Sequence, residues 1–414
     1  MLVQQPPYDS VQALIEEVQA AVNLLAGDLR QLGDKIHDHP ELAYHEHYAH
    51  RLLSEYMTQQ GFDVAAVKEL DTAFIATYHV SGTGPARTIG FLYDALPDIG
   101  HGCGHNLIAI SGVAAAIGCV KACIKFNIKA TIKLYGTPAE ESGSAKVAMV
   151  EAGYFDDADI CIMCHPSRGS LYAPQHLSLQ SLQVRFHGKA SHASATPWRG
   201  INALDAVVTA YQSIGLLRQQ IYPTQRIHGI ITNGGAAPNV IPELTEANYY
   251  VRSKRHKDLP ALRDRVENCF AAAAAATGCT FEIERGAFVM DVNTNMTLAL
   301  AWADVVRQLG FKFAPVEKQL QVSRGSTDMG NVTWHRPGLH AIYDIETTAN
   351  AHSKDFADAA RTDKAFQHTL TAAIGLAVVG VRAAAEDEFL RLVQEEFAKS
   401  KKEDARTAHQ SSSA

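Results

Sequence analysis

Residues 107–126, LIAISGVAAAIGCVKACIKF, form a long apolar helix candidate between two short β-rich runs, TIGFLYDA (88–95) and KATIKLYG (129–136). A third run, DADICIMCH (157–165), follows. Strands that alternate with helices predict an α/β layer built on a mixed, largely parallel sheet with helices on both faces. In such sheets functional groups gather at the carboxyl ends of the strands. What each run empties into is therefore the place to look for chemistry.

From about residue 177 the pattern changes. LSLQSLQVRFHG reads as a strand, NALDAVVTAYQSIGLLRQQ (202–220) as a helix, and RIHGIITNGG and LTEANYYVRS as strands. A second helix is expected to open at Asp258 as N-cap, with Pro260 in its first turn, and to close at Gly278. Within it Leu259, Leu262, Val266 and Phe270 keep helical spacing. CTFEIERGA is the last strand. The order β-α-β-β-α-β is that of a small inserted α+β domain. The α/β pattern then returns, so the first domain is read as split between 1–176 and 290–398 around an insert at 177–289. The stretch 399–414, charged and then Ser-rich, reads as a disordered tail.

Composition narrows the function classes. Of 414 residues, 47% are hydrophobic and 20% charged, an ordinary globular mixture. A formal net charge of -7 argues against nucleic acid or an anionic membrane as partner. No run is read as reaching transmembrane length, and the start MLVQQPPYDS lacks the basic and apolar regions of a secretion signal. A cytoplasmic protein is expected. The 7 cysteines are odd in number and scattered, which favours free thiols over a disulfide framework.

The loop DIGHGCGHN (98–106) runs from the first strand into the apolar helix. Imidazole and thiol on so bare a backbone suit a metal site, a Cys103 nucleophile with His105 as its base, or a His-rich tight turn. The second strand empties into TPAEES, which sets Glu140 beside Glu141. The third ends at His165, and TANAHSKDF offers His352 much later. Neighbouring side chains cannot share one direction, so one of the two glutamates can bind a metal while the other faces substrate as general base. Nitrogen, sulfur and oxygen donors together suit zinc best, with manganese or cobalt as alternatives. His37, His39, His45, His47 and His50 cluster in sequence but are read as structural, and His101 as a residue that supports the ligands from behind or shapes the turn. Cys161 and Cys164 form a CxxC inside a buried strand and are read as core thiols.

The segments IHDHPELAYHE (36–46), YDALPDIGHGCGHN (93–106), GTPAEESG (136–143), GKASHASATPWRGINALDA (188–206), NGGAAPNVIPE (233–243), GSTDMGNV (325–332) and AHSKDF (351–356) span nearly the whole chain. Together they resemble the co-catalytic metallopeptidases of family 20, in the amidohydrolase branch of hippurate, auxin-conjugate and aminobenzoyl-glutamate hydrolases. GCGHN and the last two segments favour the sub-branch of aminobenzoyl-glutamate hydrolases and of dipeptidases acting on β-alanyl or basic dipeptides. The resemblance implies that Cys103, His105, Glu141, His165 and His352 hold two divalent metal ions, and that Glu140 is the general base. It further implies that Asp94 orients a histidine ligand and that His192 steadies the oxyanion, often across a dimer interface. Asn239 and Arg252 are implied as holders of the substrate carboxylate; for Arg252 a strand-surface salt bridge is an equal reading. The expected activity is hydrolysis of the amide bond of an N-acyl amino acid or dipeptide with a free carboxylate. The expected assembly is a homodimer through the insert, which acts as a lid and dimerisation domain. Two rivals are amide bond formation at the same site and a non-catalytic, binding member of the fold.

Overall fold

The computed structural model describes residues 6–84, 87–91, 101–141, 143–321 and 325–411. The chain divides into two compact units, Met1–Gln175 with Val292–Ala414, and His176–Asp291.

The first unit carries a six-stranded sheet. Its strands are β1 (Asp63–Val67), β2 (Leu70–Val80), β3 (Thr88–Phe91), β4 (Ala130–Gly136), β5 (Ile160–Ser167) and, beyond the second unit, β12 (Gly338–Asp344), in the order β1-β2-β4-β3-β5-β12. β4, β3, β5 and β12 run parallel, while β2 and β1 add antiparallel strands at one edge. Successive strand residues point to opposite faces, and Ile160 through Cys164 are all buried, so both faces of β5 are covered. The helix His105–Lys125 begins two residues earlier than expected and is buried almost all round. It packs against Asp363–Ala385 and Val11–Leu24. His105–Lys125 and Asp363–Ala385 are in fact long and apolar enough to cross a membrane, contrary to the expectation that no run reaches that length. Their apolar windows are 89% and 78% buried within the fold, as befits helices that are hydrophobic all round and form a core.

Residues 399–411, assigned by composition to a disordered tail, instead continue the helix Asp387–Ser411. The cause is docking further up. Phe389, Leu390 and Val393 are buried, and Glu396 accepts from the Met296 and Thr297 amides, so it caps a neighbouring helix. Ser400 and Lys401 add hydrogen bonds with Asn293 and the Trp334 carbonyl. A helix anchored this way propagates into polar sequence, since each added residue gains a backbone bond.

The second unit holds β6 (Ser178–His187), β7 (Ser191–His192), β8 (Arg226–Asn233), β9 (Val240–Ile241), β10 (Leu244–Ser253) and β11 (Thr280–Arg285). Four of them form an antiparallel sheet, β11-β6-β10-β8, and β7 with β9 makes a two-residue ribbon. Burial alternates along β6 and β10, because only one face is covered. Leu182, Val184, Tyr249 and Val251 pack there with Val207 of the helix Ala203–Leu217 and Phe270 of the helix Leu259–Thr277. Leu259, Leu262, Val266 and Phe270 are all buried, and Gly278 ends that helix at φ 75°. Asp258 occupies the N-cap position, but its side chain makes no capping bond.

Candidate active site

The parallel strands β4, β5 and β12 end on one side of the sheet, and the titratable residues collect beyond those ends. Cys103 lies in the turn before the helix that opens at His105, and Glu140 and Glu141 follow β4 directly. His165 is near the end of β5, and His352 lies beyond β12 with its amide donating to the Gly102 carbonyl at 2.8 Å. Gly104 joins these pieces. Its φ of 76° suits glycine, and an added Cβ would come 2.6 Å from the Pro166 ring, next to His165. Ala139 at φ 60° and His352 at φ 66° are left-handed despite carrying side chains. Such strain persists where surrounding structure over-determines it, which is common at functional sites.

The side chains converge. Cys103 Sγ is 3.4 Å from His165 Nε2, and His105 Nε2 is 3.5 Å from Glu141 Oε1. His352 Nε2 is also 3.5 Å from Glu141 Oε1, and His105 Nε2 is 3.9 Å from Glu140 Oε2. Three overlapping groups, Cys103–His105–His165, Cys103–Glu141–His352 and His105–Glu140–Glu141, each keep their donor atoms within 4.8 Å. His165 Nδ1 lies 2.7 Å from the Pro166 carbonyl. The proton therefore sits on Nδ1, leaving the Nε2 lone pair for a metal. His105 Nδ1 is buried and has no hydrogen-bond partner among the described residues. This donor set fits divalent metal ions. Asp94, expected to orient a histidine, lies outside the described residues.

The two glutamates are driven apart electrostatically. Burial pushes the Glu140 carboxyl up to about 8, and Glu141 and Asp328 add to the shift against Lys146 and the Thr327 hydroxyl. Burial would raise Glu141 as well. Its hydrogen bond with His352 and the charges of His105 and His352 outweigh that and hold it at about 2. A pair whose environments split its proton affinities divides into two roles, a proton acceptor and a permanent anion. Burial holds His105 well below the ordinary imidazole range, although the Glu141 carboxylate beside it pulls the other way.

Residues 175–278 match the model of a peptidase dimerisation domain. The chain is 40% identical to the Xaa-Arg dipeptidase of Homo sapiens over 387 residues, covering 89% of this chain and 88% of the relative. It is 31% identical to one of the subunits of the p-aminobenzoyl-glutamate hydrolase of Escherichia coli (strain K12), over 79% of this chain and 71% of that one. The chain belongs to the M20 peptidase family. It is a metal-dependent hydrolase of amide bonds. Two solved structures share the fold. An aminobenzoyl-glutamate utilization protein from Klebsiella pneumoniae has a TM-score of 0.66 at 18% identity, covering 89% of this chain and 98% of that one. A dinuclear metal-binding M20 peptidase of Bacillus subtilis has a TM-score of 0.62 at 20% identity, covering 87% and 99%.

In this M20 chain the other residues that the sequence predicts for the site, His192, Asn239 and Arg252, fall in the second unit. His192 is exposed on β7, and its Nδ1 accepts from the Ser194 and Ala195 amides at 3.3 Å. That contact leaves the proton on Nε2, so the ring presents a donor. Asn239 precedes β9, and its carbonyl accepts from the Ala193 amide at 3.0 Å, which puts it beside His192 on the ribbon. Arg252, on β10, lies 3.3 Å from His228 Nε2 and over the Tyr250 ring.

Sequence reasoning missed the residues behind the glutamate turn. Lys146 and Asp328 are both buried and form an ion pair at 2.8 Å, while the second Asp328 oxygen accepts from the Lys146 amide at 3.1 Å. Buried charges occur where they are paired, and this pair fixes the start of the helix Ala145–Glu151 just after the glutamates. The signal that could have found it is GSTDMGNV, a segment of the family resemblance that contains Asp328 but suggests no role for it. Cys161 and Cys164 are buried thiols pushed up to about 12 by burial, which keeps them protonated and unreactive. None of the 7 cysteines is in a disulfide. His37 and His101 bond the Ala357 and Ile36 carbonyls.

Proposed function

We propose that this enzyme is a zinc dipeptidase that also accepts related N-acyl amino acids, cleaving the amide bond next to a free carboxylate. The observation that carries the reading is the convergence of Cys103, His105, Glu141, His165 and His352 in overlapping donor groups, one of which, with His105 and Glu141, includes Glu140. Five donors exceed the four of one tetrahedral ion, so the set suits two ions sharing a ligand. When bound, such ions polarise the scissile carbonyl and acidify the attacking water. Glu140 takes a proton from that water on its carboxylate and delivers it to the leaving amine nitrogen. Asp94 orients a histidine ligand, His192 donates its Nε2 proton to the developing oxyanion, and Asn239 and Arg252 hold the substrate carboxylate. The likeness to an Xaa-Arg dipeptidase supports dipeptides with a basic C-terminal residue as the preferred class, in a cytoplasmic homodimer formed through the second unit.

The test is a panel of Xaa-Arg and Xaa-Lys dipeptides, β-alanyl dipeptides, N-acetyl amino acids and aminobenzoyl-glutamate, assayed on zinc-loaded protein by amine release. Cleavage of the basic dipeptides with the highest kcat/KM is expected. Release from none of them refutes the reading.

A further inference from the structure

The turn that carries Glu140 and Glu141 is held from a distant part of the chain. Ala139 before it and Ser144 after it sit at φ 60° and 57°, and the Ala139 carbonyl accepts from the Gly143 and Ser144 amides at 2.8 and 2.6 Å. Conformations of this kind need outside support. It comes from the segment 36–46. Glu46, only 3% exposed, places Oε1 2.9 Å from the Ala139 amide nitrogen and Oε2 3.1 Å from the Thr72 hydroxyl. Tyr44, itself at φ 63°, donates its hydroxyl to the Gly143 carbonyl at 2.8 Å. Its ring lies so close that a Cβ on Gly143 would come 2.3 Å from it, so only glycine fits there.

Glu46 is free for this contact because another residue does its local work. It stands at the N-cap of the helix His47–Gln59, yet its side chain makes no capping bond. Glu41 instead accepts from the Tyr48 and Ala49 amides at 2.8 and 2.9 Å. A carboxylate buried against neutral donors is costly to retain. What this one grips is the amide immediately before the general base.

We propose that Glu46 is a positioning residue for amide hydrolysis, with Tyr44 as the second contact of the same clamp. By holding Ala139 and Gly143 it fixes the turn so that Glu140 faces the reacting carbonyl while Glu141 faces the metal. The inference rests on the roles given to Glu140 and Glu141 above. Both contacts are to the backbone of the turn, so the clamp acts through Glu140 and Glu141.

The experiment compares wild type with Glu46→Ala, Glu46→Gln and Tyr44→Phe, each loaded with cobalt. Three quantities are read: the visible absorption of the bound cobalt, hydrogen exchange in the peptide 136–144, and kcat with KM. In Glu46→Ala, kcat should fall about 10²-fold, since a misplacement of about 1 Å is that costly, while KM stays within about threefold. The cobalt spectrum should change and exchange should accelerate. In Glu46→Gln the amide oxygen still accepts from Ala139 while its NH2 donates to Thr72, so most activity and the wild-type spectrum should return. Tyr44→Phe, on an exposed residue, should cost a smaller factor with faster exchange. A Glu46→Ala enzyme with wild-type kcat, spectrum and exchange would overturn the proposal, as would a Glu46→Gln enzyme as impaired as Glu46→Ala. If Glu46→Ala does not fold, Tyr44→Phe carries the test, and unchanged exchange and kcat there overturn it. A wild type that cleaves no substrate, with spectrum and exchange responding as described, would leave the clamp standing and remove the dipeptidase reading instead.

Discussion

Replacing Glu140 by glutamine in metal-free protein should abolish a specific pH dependence of stability. In the fold the Glu140 carboxyl is raised to about 8 from an ordinary value of 4.5, chiefly by burial. A raised folded pKa means that the native state binds the proton more tightly. The stability it contributes is fully present below 4.5 and is lost as pH rises through about 8. Depressed histidines work in the opposite sense. His105 lies well below 6.5 and His101 is lowered to about 4, both mainly by burial, so their penalty appears only as pH falls below 6.5. Between pH 6.5 and 8 the histidines therefore interfere little; Asp328, raised by burial in the same sense, is present in both proteins, so the difference between their slopes belongs to Glu140. At about 1.4 kcal/mol per pH unit, the wild type should lose about 2 kcal/mol across that window. Glu140→Gln, whose carboxamide mimics the protonated acid, should hold its stability. Urea unfolding of chelator-treated protein, followed through the fluorescence of buried Trp302, measures both slopes. Adding zinc should flatten the wild-type slope, because the cations favour the ionised carboxylate. Equal slopes in wild type and Glu140→Gln would refute the assignment of the raised proton affinity to this residue.

Other outcomes follow from the same geometry. Chelation should abolish turnover, and zinc, manganese or cobalt should restore it; full activity in chelator would revive Cys103 as a nucleophile. Glu141→Gln should lose metal affinity, whereas Glu140→Gln should keep metal and lose nearly all turnover, so metal content measured beside kcat separates them. His192→Ala should lower kcat about 10²–10³-fold without loss of metal. Mixing that variant with Glu140→Gln should restore activity in hybrid dimers, because one of the two sites keeps both residues; no recovery in demonstrated hybrids would refute action across the interface.

The convergence of Glu140, Glu141 and His165 was legible because these residues stand where strands end. Glu140, Glu141 and His165 follow runs whose β character is written in consecutive residues, and the parallel arrangement brings such positions together. The insert was legible for a similar reason, since alternation along β6 and helical spacing from Leu259 to Phe270 are both local patterns. The support of the site was not. Lys146 lies in AKVAMVE, where a lysine reads as a solvent-facing helical residue, and its partner Asp328 is 182 positions away. Glu46 lies in a His-rich stretch read as structural, and nothing nearby announces that it grips Ala139, 93 residues on. Local periodicity encodes elements, whereas a buried charge is explained only by a partner that the fold delivers. The same limit misled the reading of residues 399–411, whose polar composition hides the docking of Glu396, Ser400 and Lys401. The division has a physical consequence. The donors that converge can be recognised from sequence, whereas the contacts that hold their turn in place, such as Glu46 to Ala139 and Lys146 to Asp328, are non-local and buried. Substitutions at Glu46, Lys146 or Asp328 should therefore change the rate while leaving Glu140 and every proposed metal ligand in place.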